Sequence, residues 1–423
     1  MTVTIAPGPA SGTLAAIPSK SAAHRLLIAA ALADRPARVR FSRSNQDIDA
    51  TLRCLAGLGA EIETFDGGVT VTPIHRTSPI GNCTLDCGES GSTLRFLVPV
   101  AGALGAEAVF LLAGRLAQRP MEPLAGQLAA HGCCLTLDPE ANTLTVSGQL
   151  EPGEYALPGN VSSQFFTGLL FALPLLNQES TLRVLGDLES AGYIDLTLDA
   201  LKRFGVVPAA LESGGWTVPV HGYHSPGELA VEGDWSNAAP WLCMGAVAGD
   251  GVAVTGLDSG SLQGDRAVCR VLAQMGAGVD RQRDRVAARP GPAKAVVIDA
   301  RNIPDLVPAL AAVAAVLPGE TRFTGAARLR LKESDRLETT AGLLNALGGQ
   351  VRVTEDGLAV TGVPRLTGGT VDAVGDHRIA MAAAVASVVC RDPVTVTGAE
   401  AVAKSYPDFW RDLARLGKDV TVG

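Results

Sequence analysis

The chain has 423 residues, of which 47% are hydrophobic, 18% charged and only 4% aromatic. That length calls for more than one core, and the apolar content excludes a disordered chain. A formal net charge of −8 with so few aromatic rings excludes a nucleic-acid or anionic-membrane surface, so any anion site must be a local cluster working against the overall field.

Six stretches close on a glycine with a leucine four residues before it. The glycines are Gly59, Gly132, Gly205, Gly276, Gly348 and Gly417, spaced 69–73 residues apart. The leucines are Leu55, Leu128, Leu201, Leu272, Leu344 and Leu413. A glycine after an amphipathic stretch is a helix stop, because the chain there turns through positive φ. Self-similarity at this period exceeds a solenoid repeat and predicts six compact copies of one unit. Within each copy the predicted order is strand, buried helix, strand, amphipathic helix, hairpin.

In chain order, the first copy opens on Pro18-Ser19-Lys20-Ser21. An apolar helix over 22–33, a strand over 37–41 and a hairpin over 61–63 and 69–71 follow. The second opens on Gly88-Glu89-Ser90-Gly91-Ser92-Thr93, continues as an apolar helix over 93–105, and places Arg115 and Arg119 ahead of Pro120. Its hairpin is predicted over 135–137 and 144–146. The third has Gly159-Asn160-Val161-Ser162-Ser163-Gln164 before a helix over 164–176, then Ser190, Tyr193 and Asp195 at the start of its second helix. The fourth opens on Glu232-Gly233-Asp234-Trp235-Ser236-Asn237, with a helix over 238–248. The fifth runs Asn302-Ile303-Pro304-Asp305, a helix over 307–317 and Lys332-Glu333-Ser334-Asp335-Arg336; its hairpin is expected over 351–353 and 358–360. The sixth has Gly375-Asp376-His377-Arg378, a helix over 379–390 and Lys404-Ser405-Tyr406-Pro407-Asp408. Helices apolar all round are buried all round.

Polar residues thus gather just before the buried helices. Ser, Asp and Asn there are ordinary caps. Capping does not account for Lys20, Arg25, Arg95, His377 and Arg378, whose charges oppose the helix dipole unless an anion sits between. If helix N-termini from two domains face each other, these groups converge on one anion-binding cleft. Phosphorylated, carboxylate-bearing small molecules are the ligands such a cleft suits. The six histidines are too dispersed for a metal site, and no HExxH occurs. The eight cysteines form no paired CxxC framework and are expected to be reduced core thiols, which points to the cytoplasm. No secretory leader is evident in the first eight residues, and runs such as 306–317 are too short to span a bilayer.

These segments, taken together and in this order, resemble the enolpyruvyl transferase family, in its branch acting on shikimate 3-phosphate. The carriers also include Gln118-Arg119-Pro120 and Ser162-Ser163-Gln164. The resemblance implies a two-domain inside-out α/β barrel built from six βαβαββ-type repeats. One domain would span 19–230, and the other 1–18 with 231–423. It implies transfer of the enolpyruvyl group of phosphoenolpyruvate to the 5-hydroxyl of shikimate 3-phosphate, with release of phosphate and no metal or organic cofactor. By similarity, Lys20, Ser21, Arg25, Ser162, Ser163, Gln164, Ser190, Tyr193, Asp305 and Lys332 would bind shikimate 3-phosphate. Lys20, Gly91, Arg119, Gln164, Arg336, Arg378 and Lys404 would bind phosphoenolpyruvate. Lys20, Asp305 and Glu333 would move the protons, with His377 a further candidate. The implied protein is a monomer that is open when empty and closes once shikimate 3-phosphate bridges the cleft.

The run Glu89-Ser90-Gly91-Ser92 departs from the Asn-Ala-Gly-Thr common in the family, and Arg328 stands where some members carry an Asn. Two alternatives share the fold: the sister transferase acting on UDP-N-acetylglucosamine, and a non-catalytic anion-binding protein. The first places a reactive Cys before its Arg-Pro, and residues 113–119 contain none. The second would not require Lys20, Asp305 and Glu333 together.

Overall fold

All six repeat glycines lie in the left-handed region, with φ between +82° and +98°, two residues beyond the end of a helix. In four copies the residue after the glycine donates its N–H to the carbonyl of the repeat leucine: Ala60 to Leu55, Val206 to Leu201, Ala277 to Leu272 and Gly349 to Leu344. The six leucines are fully buried. Each therefore anchors its helix in the core while accepting the hydrogen bond that ends it.

The computed structural model describes residues 1–75, 80–220 and 222–423. The chain divides into two compact units, Lys20–Val231 and Met1–Ser19 with Glu232–Gly423. The first holds helices α1 (Lys20–Ala31), α2 (Gln46–Gly57), α3 (Gly91–Ala103), α4 (Leu124–Ala130), α5 (Ser163–Ala172) and α6 (Ala191–Arg203). The second holds α7 (Trp235–Val247), α8 (Val268–Gln274), α9 (Val307–Ala314), α10 (Arg336–Ala346), α11 (His377–Ser387) and α12 (Phe409–Arg415). The odd-numbered helices are the apolar ones, and all eight residues of α9 and all eleven of α11 are buried. In the second unit α7, α9 and α11 pack on one another, and in the first α3 packs on α5.

Among the described residues each copy has one four-stranded sheet, all with the same order. In the second copy Cys83–Gly88 runs parallel to Ala108–Leu112, which pairs antiparallel with Thr143–Gly148 of the hairpin. Three sheets are completed from elsewhere in the chain. Glu228–Ala230 supplies the parallel edge strand of the first copy, beside Ala37–Arg40. Gly12–Ala15 does the same for the fourth, beside Val252–Thr255. Thr2–Ile5 lies between Val394–Thr397 and Val420–Val422 of the sixth, antiparallel to both. The chain's first residues thus belong with its last because their ladder partners are there. Of the eight cysteines six are buried and none is bonded.

Candidate active site

In the unit Lys20–Val231, α1 begins on the first candidate cation. Lys20 Nζ donates to Asp47 Oδ2 at 2.9 Å. Asp47 is buried in the first turn of α2, a helix capped by Asn45. One turn along α1, Arg25 is only 2% exposed and bonds within its own helix and to α5, through Thr167, and α6. Its Nε donates to Thr197 Oγ1 at 2.8 Å, Nη1 to the Ser21 carbonyl at 2.7 Å, and Nη2 to the Tyr193 carbonyl at 2.8 Å. None of these partners is a carboxylate. Burial pulls the guanidinium down to about 9, against the pull of Tyr193. It remains charged at neutral pH, a buried cation with no carboxylate among these partners.

Gly91 opens α3 behind its cap Ser90, whose Oγ accepts the Thr93 N–H. A Cβ on Gly91 would stand 2.4 Å from Arg119 Nη1, so the guanidinium lies directly against the helix start. Arg119 Nε is buried without a hydrogen-bond partner among the described residues. Gln164, in the first turn of α5, accepts from Arg95 Nη1 at 2.8 Å and donates to Ser92 Oγ at 2.9 Å. Ser162 caps that helix through the Gln164 N–H, and Ser163 is buried. Ser190 precedes α6 in the left-handed region, at φ 57°, and is 3% exposed. The structure therefore ties Ser21, Arg25 and Tyr193 together, and Gly91 to Arg119. Asp47 and Thr197 are partners that sequence reasoning did not single out, and Ser92 figures there only as part of a motif.

The second unit centres on Arg336, the first residue of α10, with 2% of its side chain exposed. Its Nη1 donates to Asp305 Oδ1 and its Nη2 to Glu333 Oε2, both at 2.8 Å. Its Nε donates to Asp376 Oδ2 at 2.8 Å, and Nη2 reaches Asp376 Oδ1 at 3.1 Å. Lys332 Nζ also donates to Asp305 Oδ1, at 3.3 Å. Asp305 sits in the one-turn 3-10 segment Pro304–Leu306 that leads into α9 and caps no helix. Burial alone would raise its carboxyl, but Lys332, Arg336 and Arg378 hold it well below the usual carboxylate range. Burial would lower Arg336, but Asp376, Glu333 and Asp305 hold it above its ordinary value. Lys332 is pushed down by burial, with Asp305 opposing.

Asp376 caps α11 and accepts the Arg378 N–H at 2.9 Å. The Arg378 side chain turns to α7, where Nη1 donates to the Ser236 carbonyl at 2.7 Å. Lys404 is 6% exposed at the end of the 3-10 run Ala399–Lys404, and the next residue, Ser405, donates to Asn237 Oδ1 at 3.2 Å. Asp305, Lys332, Glu333 and Arg336 thus form one network, joined to Arg378 through Asp376. Of the predicted cluster Lys332 to Arg336, the first four residues precede α10, Asp335 is its cap and Arg336 opens it. Chemically, this is an ionised carboxylate held among fixed cations whose charge is also available to a bound anion.

No group of three or more His, Cys, Asp or Glu among the described residues is placed to hold a metal ion, and none of the described helices is long and apolar enough to cross a membrane.

Solved structures share this architecture. An EPSP synthase from Acinetobacter baumannii aligns with a TM-score of 0.82 at 26% identity, covering 100% of both chains. The enolpyruvyl transferase NikO from Streptomyces tendae aligns at 0.76 with 19% identity, over 99% of this chain and 98% of that one, and speaks for the fold alone. The fold is the two-domain inside-out α/β type, and with the clusters above it defines an enolpyruvyl transferase.

The family model for EPSP synthase (3-phosphoshikimate 1-carboxyvinyltransferase) matches residues 5–413. A 3-phosphoshikimate 1-carboxyvinyltransferase from Clostridium kluyveri is 39% identical over 418 residues, covering 99% of this chain and 98% of that protein. One from Clostridioides difficile is 36% identical over 423 residues, covering 98% and 97%. The chain belongs to the EPSP synthase family. It is an enzyme of the shikimate pathway and transfers the enolpyruvyl group of phosphoenolpyruvate to shikimate 3-phosphate.

Proposed function

We propose that the acceptor is the 5-hydroxyl of shikimate 3-phosphate and that the residues above divide the work as follows. Ser21, Arg25, Ser162, Ser163, Gln164, Ser190, Tyr193 and Lys332 hold shikimate 3-phosphate, with Lys20 and Asp305 beside it. Lys20, Gly91, Arg119, Gln164, Arg336, Arg378 and Lys404 hold phosphoenolpyruvate. Asp305 takes the proton of the 5-hydroxyl, whose oxygen bonds to C2 of phosphoenolpyruvate while C3 gains a proton from Glu333 or Lys20. The tetrahedral intermediate then loses a proton from C3 as the C2–O bond to phosphate breaks, which restores the double bond. The protein works as a monomer in the cytoplasm.

The observation that carries this reading is the hold of one buried guanidinium, Arg336, on both Asp305 and Glu333 at 2.8 Å. A protein that only binds anions gains nothing from spending a cation on two carboxylates, whereas proton transfer needs both. Glu333→Ala is expected to lower kcat by about 10²–10⁴ with KM for either substrate within roughly threefold. Unchanged turnover would remove Glu333 from the chemistry. Phosphate release measured with shikimate 3-phosphate and with UDP-N-acetylglucosamine separates the acceptors, and only the first should respond.

A further inference from the structure

Asp265 lies outside every motif read from the sequence and outside the roles assigned above. It sits in the short 3-10 turn Gly264–Ala267, with 2% exposure. Its Oδ2 accepts a hydrogen bond from Ser236 Oγ, whereas Oδ1 is buried without a partner among the described residues. Ser236 is also the residue whose carbonyl accepts Arg378 Nη1 at 2.7 Å. The same Nη1 lies 3.5 Å from Asn237 Oδ1, and Arg378 Nε is buried with no hydrogen-bond partner among the described residues. Ser236 thus bridges a buried carboxyl with one unspent oxygen and a buried guanidinium with an unspent N–H. Unspent buried polar atoms are costly and call for an explanation.

We propose that Asp265 is a positioning residue for Arg378: through Ser236 it fixes the guanidinium, and it takes up one proton as the anionic end of phosphoenolpyruvate docks there. The inference rests on the assignment of Arg378 to that substrate. Four groups face the carboxyl. Burial, then Asp305 and Asp234, push it up to about 7, against the Ser236 hydrogen bond and the Arg378 charge. A docking anion offsets the pull of Arg378 and adds repulsion of its own, so the bound state favours the neutral acid. By reciprocity, the neutral acid favours binding. The proton comes from solvent and no covalent bond other than the new O–H changes; Oδ1 has room in its hydrogen bonding to carry it.

The test is KM for phosphoenolpyruvate at saturating shikimate 3-phosphate between pH 6 and 8, in the wild type and Asp265→Asn, with a thermal melt of each. The ratio of wild-type to variant KM is expected to climb about 3- to 10-fold with pH, because only the wild type gains a repelling charge. The substrate's own second phosphate ionisation, near pH 6, acts on both proteins and cancels in the ratio. A folded Asn variant with a ratio flat in pH overturns the proposal, since a merely structural role would shift KM equally at every pH. If that variant fails to fold, calorimetry decides on the slow Glu333→Ala protein with shikimate 3-phosphate present. Phosphoenolpyruvate is titrated at pH 7.5 in two buffers of different ionisation enthalpy. Net proton uptake supports the proposal, and no uptake overturns it. Arg378→Lys tests the underlying assignment separately. An unchanged KM there removes Arg378 from the binding site, whereas a raised KM beside a flat Asp265→Asn ratio sinks only the present inference.

Discussion

Replacing Asp376 by Ala removes a fully buried carboxylate that accepts four hydrogen bonds. Two come from Arg336, at 2.8 and 3.1 Å, one from Ser334 Oγ at 2.9 Å and one from the Arg378 N–H at 2.9 Å. Stranding one member of a buried ion pair costs about 3–5 kcal/mol, and losing a helix cap about 1 kcal/mol more. Arg336 keeps Asp305 and Glu333, each at 2.8 Å, so the lower part of that range applies. The expected loss is about 3–4 kcal/mol. In a unit of roughly 200 residues each kcal/mol moves the melting temperature by about 2–4 °C, so calorimetry should read a fall of roughly 6–16 °C. Asp376→Asn keeps one acceptor oxygen but turns an amide donor toward the guanidinium, and should fall between the two. Turnover should drop as well, because Arg336 is then free to settle onto the two acids it serves. A loss below about 1 kcal/mol for the Ala variant, by urea titration, would show that Asp305 and Glu333 satisfy Arg336 without an anchor. The account of the cluster would then be wrong.

Two further substitutions probe the other unit. Gly91→Ala would put a Cβ 2.4 Å from Arg119 Nη1, the far end of a flexible side chain. The fold should tolerate this with a melting shift within about 2 °C, whereas displacing the guanidinium should raise KM for phosphoenolpyruvate about tenfold or more. An unchanged KM would contradict the role given to Arg119. His24 is fully buried, its Nδ1 paired with Thr51 Oγ1 at 2.6 Å and its Nε2 unpartnered. Burial lowers the imidazole from 6.5 to about 3, Lys20 and Arg25 acting the same way and Asp47 against them. Between those values the unfolded chain binds a proton that the folded one refuses, so stability is full above pH 6.5 and falls as pH drops toward 3. The loss is on the order of 5 kcal/mol. His24→Asn should flatten that limb of the stability–pH curve, and an unaltered acid limb would refute the neutral assignment.

Much of the architecture could be read from one residue pattern because the same local physics recurs six times. A glycine at positive φ and a leucine one turn earlier report a helix end directly, and the all-apolar helices could only be interior. What the pattern left open was pairing. The three borrowed strands, Thr2–Ile5, Gly12–Ala15 and Glu228–Ala230, are short and carry no mark of their distant partners. Strand partners far apart in sequence are set by the whole sheet and not by local preference. The resemblance of motifs, not periodicity, placed the chain start with its end.

The site divides along the same line. The residues proposed to meet the substrates sit in conspicuous polar runs ahead of apolar helices, and those runs drew attention to Lys20, Arg25, Lys332, Glu333 and Arg336. Their supports do not stand out. Asp47 follows Asn45 in what reads as an ordinary helix start, and its tie to Lys20 crosses 27 residues. Asp376 reads as a cap, which it is, yet it also fixes Arg336 from 40 residues away. Asp265 lies in the short turn just ahead of α8, where no cap signal marks it. A cap and a charge anchor use the same residue type at the same position, so only the fold can tell them apart. Buried acids that follow a cap signal and face a distant cation are therefore where sequence reasoning underestimates an active site. The Asp376 and Asp265 variants address that class of residue directly, since a simple cap would cost about 1 kcal/mol and leave the pH profile of KM unmoved.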